Sequence, residues 1–358
     1  MTAVGALLPT KPVRVALDAM GGDYAPAVVV EGGLEAARLY DVEVILVGRE
    51  EAVRAELDRY EVAGLPVTVQ HASEVIEMHE HPAEAVKAKR DSSIVVGMNL
   101  VRDGRADACV SMGNTGGMLV AAFFRLGRLP GVRRAALASV FPTVDGFCLF
   151  LDIGANADCK PEYLLQFAIM GAAYAQRVLG VENPRVGLVS NGEEETKGNA
   201  LVQEAHALLK VAPGLNFIGN VEGKEVVRGQ VDVVVADGFT GNVILKFAEG
   251  TVSMMKEIIR QELYRTSLSK LGGLLARGAF ERVGARLDYS EYGGALLLGV
   301  NGIVIIGHGR SNAKAVRNAV RVAMQSVREG VLDAIRSGLE QSAAPIPPGL
   351  STGSDDEN

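Results

Sequence analysis

Seven short, β-branched apolar runs, several separated by amphipathic stretches, restrict the possible folds of this chain more than any other feature. The runs are VRVAL (13–17), EVILVG (43–48), ADACVSM (106–112), FCLFLDIG (147–154), RVGLVS (185–190), VDVVVADG (231–238) and GIVIIG (302–307). Each is too short for a typical helix. Most are apolar throughout rather than alternating, which is the pattern of strands covered on both faces. The stretch PEYLLQFAIMGAAYAQRVL (161–179) reads as an amphipathic helix between two of them. Strand, helix, strand in succession requires right-handed crossovers, hence an α/β fold with a largely parallel sheet and helices on both sides.

Two segments break this rhythm. Residues 250–290 hold two or three helical patterns in a row and no strand, a helical excursion from the sheet. Residues 342–358, SAAPIPPGLSTGSDDEN, lack a core pattern and read as a disordered tail. Residues 1–12 lack a basic start and are interrupted by Pro9 and Pro12, so they read as a flexible arm rather than a signal peptide. The expected organisation is one α/β catalytic domain over 13–341. No repeat of fixed period is visible.

Composition narrows the function classes. The 36 basic and 43 acidic residues leave a net charge of −7, and there is no Trp, so general nucleic-acid binding is disfavoured. Three cysteines without metal or redox spacing favour a reducing compartment. No apolar run reaches the ~18 residues of a membrane span. The 42 glycines follow no collagen period and point to tight turns between strand and helix.

Those turns hold the informative chemistry. LDAMGGDYAP (17–26), SMGNTGG (111–117), DIGANADCKPE (152–162), SNGEEETKGN (190–199), ADGFTGN (236–242) and GHGRSNAK (307–314) each follow an apolar run and precede a helix. In a parallel sheet such loops gather at one rim, where ligands bind. Small residues admit backbone N–H groups and helix N-termini to an oxyanion such as phosphate. The same residues also cap helices and make turns in any α/β protein. Charge in mid-turn sets these loops apart: Asp158 and Lys160, Glu193 to Glu195 with Lys197, Lys246 one helical turn after Asn242, and His308 with Arg310. Named phosphate motifs are absent. GHGRSN has Asn312 where a dinucleotide fingerprint needs its third Gly, and GEEETKGN places Lys197 before Gly198, the reverse of a P-loop. The His79–Glu80–His81 cluster reads as a solvated turn before Pro82, not a metal site.

Taken in order, these six loops resemble the signature motifs of the phosphate acyltransferase family, the acyl-acyl carrier protein:phosphate acyltransferases of bacterial phospholipid synthesis. The resemblance runs from about residue 13 to about residue 330. It implies a three-layer α/β/α, Rossmann-like sheet related to phosphotransacetylases and isopropylmalate dehydrogenases. It also implies a cytoplasmic homodimer that sits on the inner face of the cell membrane. The implied reaction turns acyl-acyl carrier protein and inorganic phosphate into acyl phosphate and free carrier protein; no cofactor and no metal-ligating residues are expected. A membrane glycerol-3-phosphate acyltransferase would act downstream. Two other functions stay open: a non-catalytic, membrane-docked scaffold for lipid enzymes, and an NAD-dependent decarboxylating dehydrogenase on a related sheet, which lacks a fingerprint.

On this resemblance, Lys160, Lys197, Asn114 and Thr115 are expected to bind phosphate, and Asn242 and Asn312 to contact the carbonyl or oxyanion. Asp18, Asp152 and Asp237 end strands and are placed to orient the lysines, Asp18 being counted with the catalytic set. Gly21, Gly22, Ser111 and Gly113 in the early loops are expected to line the substrate site. Asn156, Asn191, Gly198, Thr240, Gly241, Lys246 and His308 are expected to do so in the later ones. Cys159 is expected not to be an acyl-enzyme nucleophile, because no His is near it in sequence and phosphate attacks directly. Two basic stretches are candidate docking surfaces for carrier protein or anionic membrane. One holds Arg125, Arg128, Arg133 and Arg134 without an acid. The other, 254–288, is net +3, with Lys270, Leu271, Leu274, Leu275 and Arg277 around a turn expected at Gly272 and Gly273.

Overall fold

A computed structural model describes residues 11–287 and 289–342. The expected arm falls almost wholly, and the expected tail almost wholly, outside the described residues. The apolar runs become strands β1 (Val13–Asp18), β2 (Val42–Gly48), β4 (Ala108–Ser111), β6 (Gly146–Leu151), β7 (Val186–Val189), β9 (Val233–Val235) and β11 (Ile303–Ile306). Four further strands complete the sheet: β3 (Val67–His71), β5 (Ala136–Thr143), β8 (Phe217–Val221) and β10 (Ala295–Leu298). The helices are α1 (Ala27–Leu39), α2 (Glu50–Leu57), α3 (Pro82–Ala88), α4 (Ser93–Arg102), α5 (Thr115–Arg125), α6 (Pro161–Arg177) and α7 (Ala200–Lys210). They continue with α8 (Gly223–Arg228), α9 (Gly238–Arg265), α10 (Ser267–Leu275), α11 (Arg277–Arg286), α12 (Ala313–Arg328) and α13 (Val331–Ser342).

One sheet in the order β3-β2-β1-β4-β11-β10-β5-β6-β9-β7-β8 runs through the molecule. Its pairs are parallel except for three antiparallel steps in the middle: β11 with β10, β10 with β5, and β5 with β6. Helices cover both faces. Leu17, Leu46 and Leu151 pack under α1, α6, α7 and α12, while Val304, Phe150 and Val234 pack under α4, α5, α8 and the start of α9. The expected three-layer, mostly parallel architecture is present.

Three antiparallel steps reverse direction three times, so the parallel block β6-β9-β7-β8 runs opposite to the block β3-β2-β1-β4-β11. The six loops therefore leave the sheet at two opposed ends, and the expectation of a single rim fails. The cause lies in β5 and β10, two strands that the apolar runs did not announce.

The two halves repeat one plan. From β2 inward the order is β2, β1, β4, β11, β10; from β8 inward it is β8, β7, β9, β6, β5. β1 and β7 each lead through a helix on one face, and β4 and β9 each lead to a helix on the other. β11 and β6 each follow a hairpin partner and lead to α12 and α6. An Arg–Asp pair ties the strand starts in each half. Arg14 donates Nη2 to Asp107 Oδ1 at 2.7 Å and its backbone N–H to Oδ2 at 2.8 Å. Arg185 treats Asp232 in the same way, at 2.9 and 2.8 Å. The sequences echo this: DACVSMGNTGG (107–117) and DVVVADGFTGN (232–242) share Asp, Val, Gly, Thr and Gly at matching places. The repeat has no fixed period because the last hairpin and helix of the first half come from the far end of the chain.

The helical excursion consists of α9, α10 and α11, but α9 begins at Gly238, inside a candidate loop, and runs 28 residues outward. At 1.5 Å per residue that is a rod of roughly 42 Å. Gly272 and Gly273 do not form the expected turn. They lie within α10, where a Cβ on Gly273 would stand 3.2 Å from Leu263 Cδ2, so glycine there serves the approach of α10 to α9. The chain turns at Thr266, which caps α10 by accepting from Ser269 N–H at 3.0 Å, and again at Ala276.

Helix α1 crosses α12 at Gly32, where a Cβ would meet Ala313 O and Val316 Cβ, each at 2.6 Å. Gly32→Ala gains roughly 1 kcal/mol of helix propensity. It forces apart a contact between one backbone and another, and overpacking of this kind costs about 1–3 kcal/mol. The net expectation is a lower denaturation midpoint in urea with an unchanged slope.

Candidate active site

In each half, two adjacent parallel strands send their following helices to opposite faces, which leaves a crevice at their C-terminal ends. The first lies between β1 and β4, the second between β7 and β9. They have the same origin and opposite contents.

The crevice between β1 and β4 is filled. Asp18, 1% exposed, accepts from Ser111 Oγ at 2.6 Å and from Met20 N–H at 3.1 Å. Ser111 Oγ accepts in turn from Gly113 N–H at 2.9 Å. A Cβ on Gly21 would lie 2.5 Å from Asp18 Oδ2 and 2.7 Å from Gly113 N, so only glycine lets these two loops close on each other. Asp23 N–H reaches Gly309 O at 2.8 Å and brings in the third loop. Burial pushes the Asp18 carboxyl above its ordinary value, against the hydrogen bonds from Ser111 Oγ and Met20 N–H. Asn114, expected to hold phosphate, caps α5 by accepting from Gly117 N–H at 2.9 Å. Its Nδ2 donates to Glu77 O at 3.0 Å and Glu80 O at 3.2 Å. It shapes a loop instead of presenting its amide to a ligand. Asn312 likewise caps α12, accepting from Ala315 N–H at 2.9 Å, though its side chain is exposed.

The crevice between β7 and β9 is open, with a volume of about 300 Å³. Ser190, Asn191, Gly198, Asn199, Asp237 and Thr240 line it. The N-termini of α7 and α9 flank it from the two faces of the sheet. Asn199 caps α7, accepting from Val202 N–H at 3.0 Å. Asp237 caps α9, accepting from Thr240 N–H at 2.9 Å and Thr240 Oγ1 at 2.7 Å. Asn191 Oδ1 accepts from Gly198 N–H at 2.9 Å and closes the loop that carries Lys197. Ser190 Oγ is buried and lacks a hydrogen-bond partner among the described residues.

The loop after β6 adjoins this crevice, because Gly238 N–H donates to Asn156 O at 2.8 Å. Asp152, fully buried, organises that loop by accepting from the backbone N–H of Leu137 at 2.9 Å, Ala155 at 3.0 Å and Asn156 at 2.7 Å. Asn156 Nδ2 donates to Ala135 O at 2.7 Å. Gly154 and Asn242 lie side by side, and a Cβ on Gly241 would overlap Asp152 O. Asp18, Asp152 and Asp237 thus accept from donors of their own loops or of the neighbouring strand, where they had been expected to orient lysines. Burial pushes the Cys159 thiol up to about 12, so it stays protonated near neutral pH and is a poor nucleophile.

The fold accordingly places Lys160, Asn156, Asn191, Lys197, Gly198, Thr240, Gly241 and Asn242 on three neighbouring loops. It sets Asp18, Gly21, Gly22, Ser111, Gly113, Asn114, Thr115, His308 and Asn312 on the opposed group. One element links them: Lys246 and Glu249 on α9 are close enough to His308 to act on its charge. Partial burial, then the positive charges of Lys246 and Arg310, hold the His308 imidazole below its ordinary value. Ser190 and Asn199 line the crevice and were not among the expected site residues; Asp237, expected to orient a lysine, lines it as well. Ser190 was visible as the polar residue ending a strand directly before Asn191.

Comparison with solved structures places this architecture in a known class. A phosphotransacetylase from Streptococcus pyogenes superposes with a TM-score of 0.60 at 18% identity, covering 89% of this chain and 95% of that one. A 4-hydroxythreonine-4-phosphate dehydrogenase from Klebsiella pneumoniae gives 0.52 at 15% identity, over 89% and 100%. The fold is that of the phosphotransacetylases.

Sequence comparison is more specific. Residues 13–334 match the family model described as "Fatty acid synthesis protein". The phosphate acyltransferase of Pelotomaculum thermopropionicum is 54% identical over 328 residues, spanning 92% of this chain and 95% of its own. That of Geobacter sulfurreducens is 50% identical over 328 residues, 92% and 94%. The chain belongs to the phosphate acyltransferase family, and it is an acyltransferase enzyme.

The proximity of Lys246 to His308 has a measurable consequence. Removing a positive charge near an imidazole raises its pKa. In Lys246→Gln the His308 ring protons, followed by NMR titration, should move their midpoint upward relative to wild type. An unmoved midpoint would separate α9 from the opposed loop group.

Proposed function

We propose that the protein transfers the acyl group of an acyl-acyl carrier protein thioester to inorganic phosphate, supplying acyl phosphate for phospholipid synthesis. The observation that carries this is the open crevice between β7 and β9. Hydroxyl and amide groups line it, the carboxylate there, Asp237, is taken up by Thr240, two helix N-termini flank it, and the loop bearing Lys197 borders it, a set of groups suited to an oxyanion.

The chemistry asks little beyond positioning. A phosphate oxygen attacks the thioester carbonyl carbon, the C–S bond breaks, and the sulfur leaves as thiolate. Inorganic phosphate is already substantially dianionic near neutral pH and needs no strong base. A thiol of pKa about 8.5 leaves without a strong acid. What remains is to hold the anion and stabilise the tetrahedral oxyanion. Lys197, Asn191 and Lys160 hold the phosphate in this scheme, and Asn242 donates to the oxyanion.

Adding phosphate to enzyme and acyl-carrier protein should release free thiol, read with a thiol-reactive chromophore. Lys160→Ala and Lys197→Ala should each lower kcat/KM for phosphate by at least ~10-fold, about 1.4 kcal/mol of transition-state stabilisation. No phosphate-dependent release by the wild type would overturn the function. Wild-type phosphate kinetics in both variants would remove the lysines from the site.

Carrier protein is acidic in this scheme and needs a basic landing site. The segment with Arg125, Arg128, Arg133 and Arg134 lies beside the Lys160 loop: Arg134 stands over the Tyr163 ring at 5.6 Å, and Ala135 O holds Asn156. We assign carrier-protein docking to it. The excursion suits the remaining partners, a second copy of the chain and an anionic membrane. Leu268 and Leu275 are 80% and 82% exposed, and Leu271 and Leu274 lie on the same helix. Each cation near an anionic surface contributes about 1 kcal/mol, so attachment would be weak and salt-sensitive. Replacing Leu271, Leu274 and Leu275 with Glu should release the enzyme from anionic vesicles while soluble turnover persists. Unchanged vesicle binding in the folded variant would refute membrane docking there.

A further inference from the structure

The loop that delivers Lys197 contains the run Glu193–Glu194–Glu195, and each of these residues is gripped by a different element. Glu193 pairs with Lys224 of α8 at 3.2 Å, and Glu195 with Lys210 of α7 at 2.6 Å. Both pairs are exposed, and exposed pairs contribute little. The middle grip differs. Asn220, on β8 and 5% exposed, donates Nδ2 to the backbone carbonyl of Glu194 at 2.9 Å. That same carbonyl accepts the backbone N–H of Lys197 at 3.0 Å. One buried amide and the lysine's own backbone thus meet on a single oxygen.

The orientation of Asn220 is set from behind. Its Oδ1 lies 2.9 Å from Nδ1 of His206, which is 5% exposed on α7. The Glu194 carbonyl can only accept, so Asn220 must present its NH2 group there and its oxygen to His206. His206 Nδ1 must therefore carry the proton. The ring is fixed in turn by an edge contact with Phe217, centroids 5.1 Å apart at 75°. The chain of donors runs from His206 through Asn220 to Glu194 and ends at Lys197. Buried, hydrogen-bonded links of this kind fix geometry, because turning the Asn220 amide over leaves desolvated polar groups without partners.

We infer that the His206–Asn220 pair is the positioning unit for Lys197, holding its loop so that the ammonium reaches the crevice between β7 and β9. The pair touches no substrate and acts through the Glu194 carbonyl, with His206 Nε2 also 3.8 Å from Glu195 Oε1 of the same loop. The inference rests on the assignment of Lys197 to the anion. Beyond that assignment, it makes the phosphate affinity of the crevice depend on two residues buried behind the loop.

The discriminating variant is Asn220→Asp, which keeps the volume and the acceptor toward His206 but turns an acceptor toward the Glu194 carbonyl. His206→Phe is the second variant, keeping the ring contact with Phe217 while removing the donor. Both are assayed for phosphate-dependent thiol release, alone and combined with Lys197→Ala, with folding checked by circular dichroism. The expected result for Asn220→Asp is a loss of ~10-fold in kcat/KM for phosphate, with the KM for acyl-carrier protein held. Combined with Lys197→Ala it should cost no more than Lys197→Ala alone, since coupled residues are non-additive. His206→Phe should show the same pattern at smaller size. If Lys197→Ala is impaired and either folded variant adds its full loss on top, or keeps wild-type phosphate kinetics, the positioning unit is refuted and the role of Lys197 stands. If Lys197→Ala has wild-type kinetics, the role of Lys197 falls and the inference with it. Should Asn220→Asp fail to fold, the His206→Phe cycle decides by the same criteria.

Discussion

The backbone ladder between β5 and β10 is the constraint on which the rest of the molecule depends. Those two strands pair antiparallel, Leu297 opposite Leu137, and join two parallel blocks that point in opposite directions. Each block alone would be an open α/β sheet with one crevice. Joined in this sense, they place two crevices at opposed ends of one sheet, and they leave α9 to span from one loop group toward the other. The location of every candidate residue follows from that single pairing. The open crevice belongs to the block β6-β9-β7-β8, and the filled one belongs to the block that begins the chain.

Much of this was legible in the sequence. Strands buried on both faces must be apolar throughout, and the seven that are so announced themselves; so did the loops that follow them, through Gly, Asn and Asp in positions that close turns. The layered class and the motif order were therefore readable. β5 and β10 were not. ALASVFPT contains small residues and Pro142, and ALLL merges with the next strand into one apolar stretch, so neither shows a boundary. Strand direction leaves no local mark at all, because a residue in a central strand meets the same apolar surroundings whichever way its neighbour runs. That is why the six loops looked convergent. Asn114 shows a second limit: a cap and a ligand-binding amide use the same residue type, and only the carbonyls of the 77–80 segment, far off in sequence, decide between them.

The two crevices show how one plan is put to two uses. Asp18 and Ser111 close the first with a buried carboxylate, a surrounding hostile to a second anion. At the corresponding strand ends, the second crevice has Val189 and Ala236, with Asp237 turned to its own helix cap, and the space stays open. Asn242 takes the place that Gly117 holds in the other copy. The repeat supplies the scaffold, and a few replacements at the strand ends decide which copy keeps an open crevice.

The order in which the repeat is threaded has a consequence for biosynthesis. The second half is one continuous stretch, from β5 to the start of α9, and all its strands are available soon after they are made. The first half is not. β4 finds its inner neighbour only in β11, and α1 finds the helix it crosses only in α12, both supplied by the last part of the chain. A ribosome releasing this protein from its N-terminus exposes β4 as an open sheet edge, with the apolar face of α1 uncovered, until residues 303–328 emerge. Such an edge is a template for pairing with the wrong chain. The half made as one stretch contains the open crevice; the half completed from the end of the chain is the one whose crevice is sealed.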